Sequence, residues 1–447
     1  MRMLKRLFVL LVIFAFGVGC QPKDYQNVIT DGSYQIAAQD KLTEIIIHDI
    51  FSPPVASRIY AYPAIAAYEV AVLAGNGEYK TLMGQLNAFE KVDFEVTEDV
   101  YLPLASLAAY YKVGTTLIFS EDMMRDHKNA AFKELKSKGI PNDVFEGSVA
   151  FGEKVADYVI AYSKKDNYHQ SRSFEKYTIS SDPNSWQPTP PMYMEGIEPH
   201  WNKIRPFVLE SPSQFKSEPA TAFDSKPGSD FFREAEEVFN VVKNLTKEQS
   251  DIAFFWDCNP YKVNVKGHVM FAEKKITPGG HWMGIAAISS KTANQDWIGA
   301  AETLAKTSIA LFDGFIACWD EKYRSVLIRP ETYINKYIDE EWLPILQTPP
   351  FPEYTSGHSV ISNAAAETLT SLFGDGFHFV DSTEVAYGLP IREFESFRIA
   401  ADEAAISRLY GGIHYMPAIV NGASKGKKIG QYLVGKIETK NGKLAEK

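Results

Sequence analysis

The chain has 447 residues, of which 45% are hydrophobic and 13% aromatic, enough apolar side chain to bury a large core and to exclude intrinsic disorder. A formal net charge of −10, with no Lys/Arg block away from the two ends, argues against a nucleic-acid partner and for a small-molecule substrate.

At the N-terminus, Arg2, Lys5 and Arg6 precede an apolar run from Leu7 to Phe16 and then Gly17-Val18-Gly19-Cys20, so residues 1–20 read as a secretory signal. A cysteine directly after small residues resembles a lipoprotein cleavage point, although Gly17 stands where Leu or Val is usual. Cys20 is therefore expected to carry a lipid anchor on an exported protein facing the periplasm or cell exterior. The run is too short to span a bilayer, which leaves the anchor as the membrane contact. Cys258 and Cys318 remain beyond it, expected as two buried thiols rather than a disulfide.

Residues 21–35 are polar and without period, as a tether would be, and the all-α body is expected over 36–447. Helical spacing starts at Ala37, breaks at Pro53-Pro54, and resumes over Ala56–Leu73, Leu102–Leu117, Asp122–Lys138 and Asp143–Lys164. From Asp166 to Gly228 the chain is rich in proline and aromatics, which suits an ordered loop wrapping a body; the N-terminal half is thus placed at 36–228. The C-terminal half, 229–447, returns to helices at Phe231–Asn244, Lys247–Trp256, Trp282–Ser290, Trp297–Arg324, Ser359–Leu372, Glu393–Tyr410 and Ala418–Glu438, with a small hairpin near His378–Val380. Packed helical bundles follow, with the active site in the C-terminal one.

Three short segments of the last third gather anion-binding groups. Lys322 and Arg329 lie seven residues apart, a spacing that puts them on one helical face two turns apart. Pro352-Glu353-Tyr354-Thr355-Ser356-Gly357-His358 leads into a helix near Ser359, where Gly357 lets the backbone approach a ligand and the helix start offers free amides. In Ser407-Arg408-Leu409-Tyr410-Gly411-Gly412-Ile413-His414 the glycine pair breaks a helix, bringing Arg408 and His414 together. Three fixed cations, two histidines, a hydroxyl and a helix N-terminus match a tetrahedral oxyanion, phosphate or vanadate. One imidazole can bind the central atom while the other moves a proton.

Lys322, six residues, Arg329-Pro330; Ser356-Gly357-His358; and Ser407-Arg408, five residues, His414 together resemble the vanadium haloperoxidase and type 2 phosphatidic acid phosphatase superfamily, over about 251–430 and more weakly at 48–70. The resemblance implies vanadate held on His414 through a ring nitrogen. Lys322, Arg329 and Arg408 would neutralise its equatorial oxygens, and Ser356 and the Gly357 amide would add hydrogen bonds. His358 is then the acid–base group, and Lys322 also stabilises the charge of bound peroxide. Ala418 stands where many members carry the Asp that orients the second histidine, so another group must fix His414; Thr355 replaces a common proline.

Phosphate fits the same cradle, so the rival reading is a phosphomonoesterase with His414 as nucleophile; a non-catalytic oxyanion-binding lipoprotein is a third. Trp319 resembles the tryptophan lining haloperoxidase sites, Phe351 a halide-pocket residue, and Asp257, in Phe255-Trp256-Asp257, a partner that could salt-bridge Arg408. These favour a peroxidase acting on hydrogen peroxide and a halide. Iodide is the first expectation and bromide the second; the organic acceptor and oligomeric state are open. His48 and His281 read as structural.

Overall fold

A computed structural model describes residues 25–441; the expected signal and Cys20 lie outside them. Of the stretch read as a tether, residues 25–35 already lie against the body, with Ile29 buried and its amide donating to Tyr101 Oη at 2.8 Å.

The first bundle consists of α1 (Ser33–His48), α2 (Pro53–Ala74), α3 (Leu102–Thr116), α4 (Glu121–Ser137) and α5 (Asn142–Ser163). Helix α2 starts where the sequence shows a break, because Ser52 Oγ accepts from the Val55 amide and proline at the first helical position has no amide to lose. Nearly every residue of α2 is buried, and it packs on α3 and on the second bundle.

That second bundle contains α6 (Asp230–Lys243), α7 (Lys247–Phe255), α8 (Pro278–Thr292), α9 (Trp297–Ser325), α10 (Pro330–Tyr337), α11 (Gly357–Phe373), α12 (Phe397–Tyr410) and α13 (Met416–Lys436). Helix α9, 29 residues long, is buried without interruption from Ile298 to Trp319 and packs on both α2 and α11. One apolar cluster runs from Ile29 through α9 to Ile437, so the two halves share a single core.

Two antiparallel hairpins complete the architecture. The first, β1 (Val263–Lys266) with β2 (Val269–Ala272), falls where no strand was expected. The second, β3 (Phe379–Asp381) with β4 (Arg392–Phe394), occupies the expected position but claims Arg392–Phe394, so the helix expected from Glu393 starts at Phe397, capped by Ser396. Among the described residues no helix is long and apolar enough to cross a membrane.

The irregular 166–228 segment is fixed to the body at several points. Ser185 bridges Leu327, the Trp186 amide donates to Val326 O at 2.7 Å, and Asp313 on α9 accepts from the amides of Phe207, Val208 and Leu209 at 2.7–3.0 Å.

Candidate active site

The end of α9 departs from the expected geometry. The helix stops at Ser325, and Val326 adopts φ 51°, a left-handed residue that turns the chain away. Lys322 and Arg329 therefore do not share a helical face; Lys322 sits in the last turn of α9, and Arg329 is the residue before α10. They converge because both hold the same loop. Lys322 Nζ donates to the carbonyls of Pro352 and Glu353 at 2.9 and 3.0 Å, and Arg329 Nε to that of Phe351 at 2.9 Å. The Phe351 ring lies 5.0 Å from each cation.

Helix α11 begins at Gly357, two residues before the expected start, with Ser356 as its cap: Ser356 Oγ accepts from the Ser359 amide at 3.3 Å and from the Ser359 hydroxyl at 2.8 Å. Its own proton is left to give. At the end of α12, Gly412 has φ 77° and a side chain there would strike Val242 and Pro344, so the expected break needs glycine. The Ile413 amide donates back to Arg408 O at 3.2 Å, which folds His414 over the helix end.

These segments meet around one pocket lined by Asp257, Cys258, Tyr261, Trp319, Phe351, Gly357, His358, Arg408 and His414, among others. Lys322, Arg329 and Ser356 are fully buried behind its wall. The group that replaces the missing Asp is Glu353, buried on the loop between them. Its Oε1 lies 2.7 Å from His414 Nδ1 and accepts from the Tyr415 amide at 3.0 Å. With a carboxylate as acceptor, Nδ1 carries the proton and Nε2 keeps its lone pair. That Nε2 lies 3.1 Å from Arg329 Nη1.

Glu353 stood inside the Pro352–His358 segment, and the sequence showed that a carboxylate was wanted. Nothing local marked it out from neighbouring acids. Tyr261, also on the pocket wall, was missed for the same reason.

Asp257 does not form the expected salt bridge with Arg408. Its carboxylate pairs with Lys275 Nζ at 2.8 Å and faces Lys262 at 3.8 Å. Arg408 instead donates through Nη2 to the Trp256 and Ala253 carbonyls at 2.7 and 3.3 Å, and through Nε to Ser407 Oγ at 2.9 Å. The last turn of α7 and its cap residue Trp256 thus supply backbone oxygens where a side chain was expected.

Burial and mutual repulsion dominate the electrostatics. Desolvation pushes Lys322 down to about 7 and both Arg329 and Arg408 down to about 10. It holds His358 and His414 well below the usual imidazole range, helped by Arg408 for the first and Arg329 for the second. Glu353 is raised to about 7 by burial, against the pull of Arg329 and Lys322. Two buried nitrogens of this centre, Arg329 Nη2 and His358 Nε2, have no protein partner. A stranded guanidinium donor, an unpartnered imidazole nitrogen and crowded cations are what a buried, partly protonated oxyanion would satisfy.

This helical fold, carrying such a cradle, has known counterparts. A family model described as "VCPO second helical-bundle domain" matches residues 335–442. The crystal structure of the first bacterial vanadium-dependent iodoperoxidase is similar at 50% identity, with a TM-score of 0.87, covering 93% of this chain and 99% of that one. The chain therefore belongs to the vanadium-dependent haloperoxidase family. A bacterial vanadium-dependent chloroperoxidase shares the fold at 16% identity in its holo form (TM-score 0.63, 87% of this chain and 93% of that one) and its apo form (TM-score 0.64, 86% and 94%). No curated protein matches the chain.

Proposed function

We propose that the chain is a vanadate-dependent haloperoxidase that oxidises iodide, and secondarily bromide, with hydrogen peroxide. The observation that carries this reading is that His358, Arg408 and His414 line one pocket with Lys322 and Arg329 buried beside it, Arg329 Nη1 3.1 Å from His414 Nε2, and that two buried nitrogens of the group are unpartnered.

His414 Nε2, its tautomer set by Glu353, would hold vanadate, and Lys322, Arg329, Arg408, the Ser356 hydroxyl and the Gly357 amide would bind its oxygens. Bound there, vanadate supplies Lewis acidity without a change of oxidation state, polarising peroxide toward halide attack. His358 hydrogen-bonds to the Trp256 carbonyl that Arg408 also uses, which leaves Nε2 without a partner. Held neutral, that Nε2 can take the proton of entering peroxide and return it to the leaving oxygen. Halide, peroxide and one proton give hypohalous acid and water. Trp319 and Phe351, 5.0 Å apart, form an apolar wall that would weakly solvate a large, polarisable halide. Phosphate is expected to compete for the same cradle. The N-terminal sequence supports export and anchoring at Cys20.

The test is triiodide formation from iodide and peroxide by protein loaded with orthovanadate and freed of excess. Turnover that phosphate suppresses and His414→Ala abolishes is expected, and repeating it with bromide sets the halide range. Hydrolysis of a phosphate ester with no peroxidase signal would instead make the chain a phosphatase, and silence in both assays a binding protein.

A further inference from the structure

Beside the cradle lies a second constellation that the peroxidase chemistry does not use. Cys258 follows α7, His281 sits in the first turn of α8, and Glu384 lies beyond β3; all three are buried. Cys258 also forms part of the pocket wall. One ligand atom from each lies within 4.8 Å of the others.

The three edges of this triangle are 3.5 Å for Cys258 Sγ to His281 Nδ1, 3.8 Å for Cys258 Sγ to Glu384 Oε1 and 3.2 Å for His281 Nδ1 to Glu384 Oε1. Zinc bonds of about 2.3 Å to sulfur and about 2.1 Å to nitrogen and oxygen, at tetrahedral angles, require edges of about 3.6 Å to sulfur and about 3.4 Å between nitrogen and oxygen. The triangle has the dimensions of one face of a zinc tetrahedron. His281 is also oriented as a metal-bound imidazole would be, its Nε2 lying 2.7 Å from Asp381 Oδ2. Asp381 is itself fixed by the Thr383 hydroxyl and amide at 2.6 and 3.0 Å. A carboxylate on the far nitrogen sets the tautomer that points a lone pair at a metal.

We propose that Cys258, His281 and Glu384 bind one zinc-class divalent cation, with Asp381 orienting His281. On metal entry the Cys258 S–H bond breaks, its proton passes to solvent, and the thiolate, the Nδ1 lone pair and a carboxylate oxygen become ligands. Thiolate and carboxylate together balance the double positive charge, and the fourth position is left to solvent. Mixed sulfur, nitrogen and oxygen donors select a borderline ion such as zinc over magnesium or calcium. The ion would clamp the turn after α7, which supplies the Trp256 carbonyl to Arg408, to the start of α8 and the β3 loop.

The experiment strips the purified chain with a chelator, adds zinc, removes free metal and measures bound zinc by mass spectrometry. One zinc per chain is expected, retained in His414→Ala, which removes the cradle's imidazole as a competing ligand. Cobalt(II) in place of zinc should give a sulfur-to-cobalt charge-transfer band, read on the unaltered chain, so that no variant needs to fold. Cys258→Ser should lose that band, and Glu384→Gln should weaken uptake at least tenfold. Failure to take up stoichiometric metal, a cobalt spectrum without the sulfur band, or full uptake by Cys258→Ser would each overturn the proposal, leaving His281 as an imidazolium between two carboxylates.

Discussion

At the scale of single residues, Glu353 decides how His414 can act. Its carboxylate accepts from both His414 Nδ1 and the Tyr415 amide, so it fixes the ring's tautomer and its orientation. Glu353→Gln keeps an acceptor but loses the charge, and orienting partners of this kind are worth about 10–100-fold in metal affinity. Vanadate is expected to bind at least tenfold more weakly to this variant, with turnover at saturating vanadate less affected; equal affinity in reconstitution titrations would refute the role. Lys322 gives the pH dependence. Because burial pushes its amine down to about 7, between that pH and the ordinary lysine range the folded chain holds fewer protons than the unfolded one. Stability therefore falls as pH drops through that window, with the cost fully present below about 7. An oxyanion removes the cost, so binding above pH 7 takes up a proton, and affinity falls as pH rises. Glu353, raised to about 7, adds uptake of the same sign. Sulfate, which does not titrate here, is the suitable probe. Calorimetry in two buffers of different ionisation enthalpy should show uptake that is reduced in Lys322→Met, and equal uptake in both proteins would refute the assignment. The cations and histidines of this site were legible because each stands in a dense motif with marked spacing. Glu353 was not, since its role depends on a contact 61 residues away in sequence.

At the scale of elements, the site depends on how closely α13 lies against α11. Gly422, Gly426 and Gly430 recur every four residues on α13, facing α11 and its cap. A Cβ on Gly426 would meet Val360 O at 2.1 Å, and one on Gly430 would meet Ala364 O at 2.8 Å. Backbone cannot step aside as a flexible side chain does, so the helices would have to separate. Gly426→Ala gains about 1 kcal/mol of helix propensity but meets an overpacking cost of about 1–3 kcal/mol or more. We expect net destabilisation in denaturant unfolding, with weakened anion binding, because the Ser356 amide donates to Ala418 O at 3.1 Å across this same contact. A more stable Gly426→Ala chain would contradict the close packing. Helix positions were readable from periodicity, with ends moved by a few residues. This glycine stripe was not, because inside a helix glycine looks like a defect until the neighbouring backbone is known. The same limit explains the Lys322–Arg329 pair: a seven-residue spacing is helical geometry only if the helix continues, and Val326 ends it.

For the whole molecule, the long proline-rich segment was expected to wrap the body, and the chain shows what it wraps. It is fastened to the middle of α9 by Asp313, fully buried and accepting three consecutive amides, and to the end of α9 where Trp186 meets Val326. The Ile197 amide donates to Pro350 O at 3.1 Å, and Tyr323 Oη and Trp319 Nε1 donate to Ile197 O at 2.6 and 3.3 Å. The segment thus braces the loop carrying Phe351 and Glu353 from outside. Sequence could indicate order from its aromatics and prolines, but not these anchors, the nearest of which lies 104 residues away. Asp313→Ala would leave three buried amides without their carboxylate acceptor, each at a cost of about 1–3 kcal/mol if unsatisfied. The carboxylate is raised to about 6 by burial, so its deprotonation already opposes the fold as pH rises from the ordinary range through 6; the three amides limit that cost. Asp313→Asn keeps one acceptor oxygen and removes the charge, and should retain part of the stability that Asp313→Ala loses. Limited proteolysis is the direct measurement. Cleavage of Asp313→Ala within 166–228 should precede loss of helical signal and be accompanied by weaker vanadate retention, because the brace loosens before the core opens. If cleavage and unfolding coincide, the segment is part of the cooperative core and not a brace on the site.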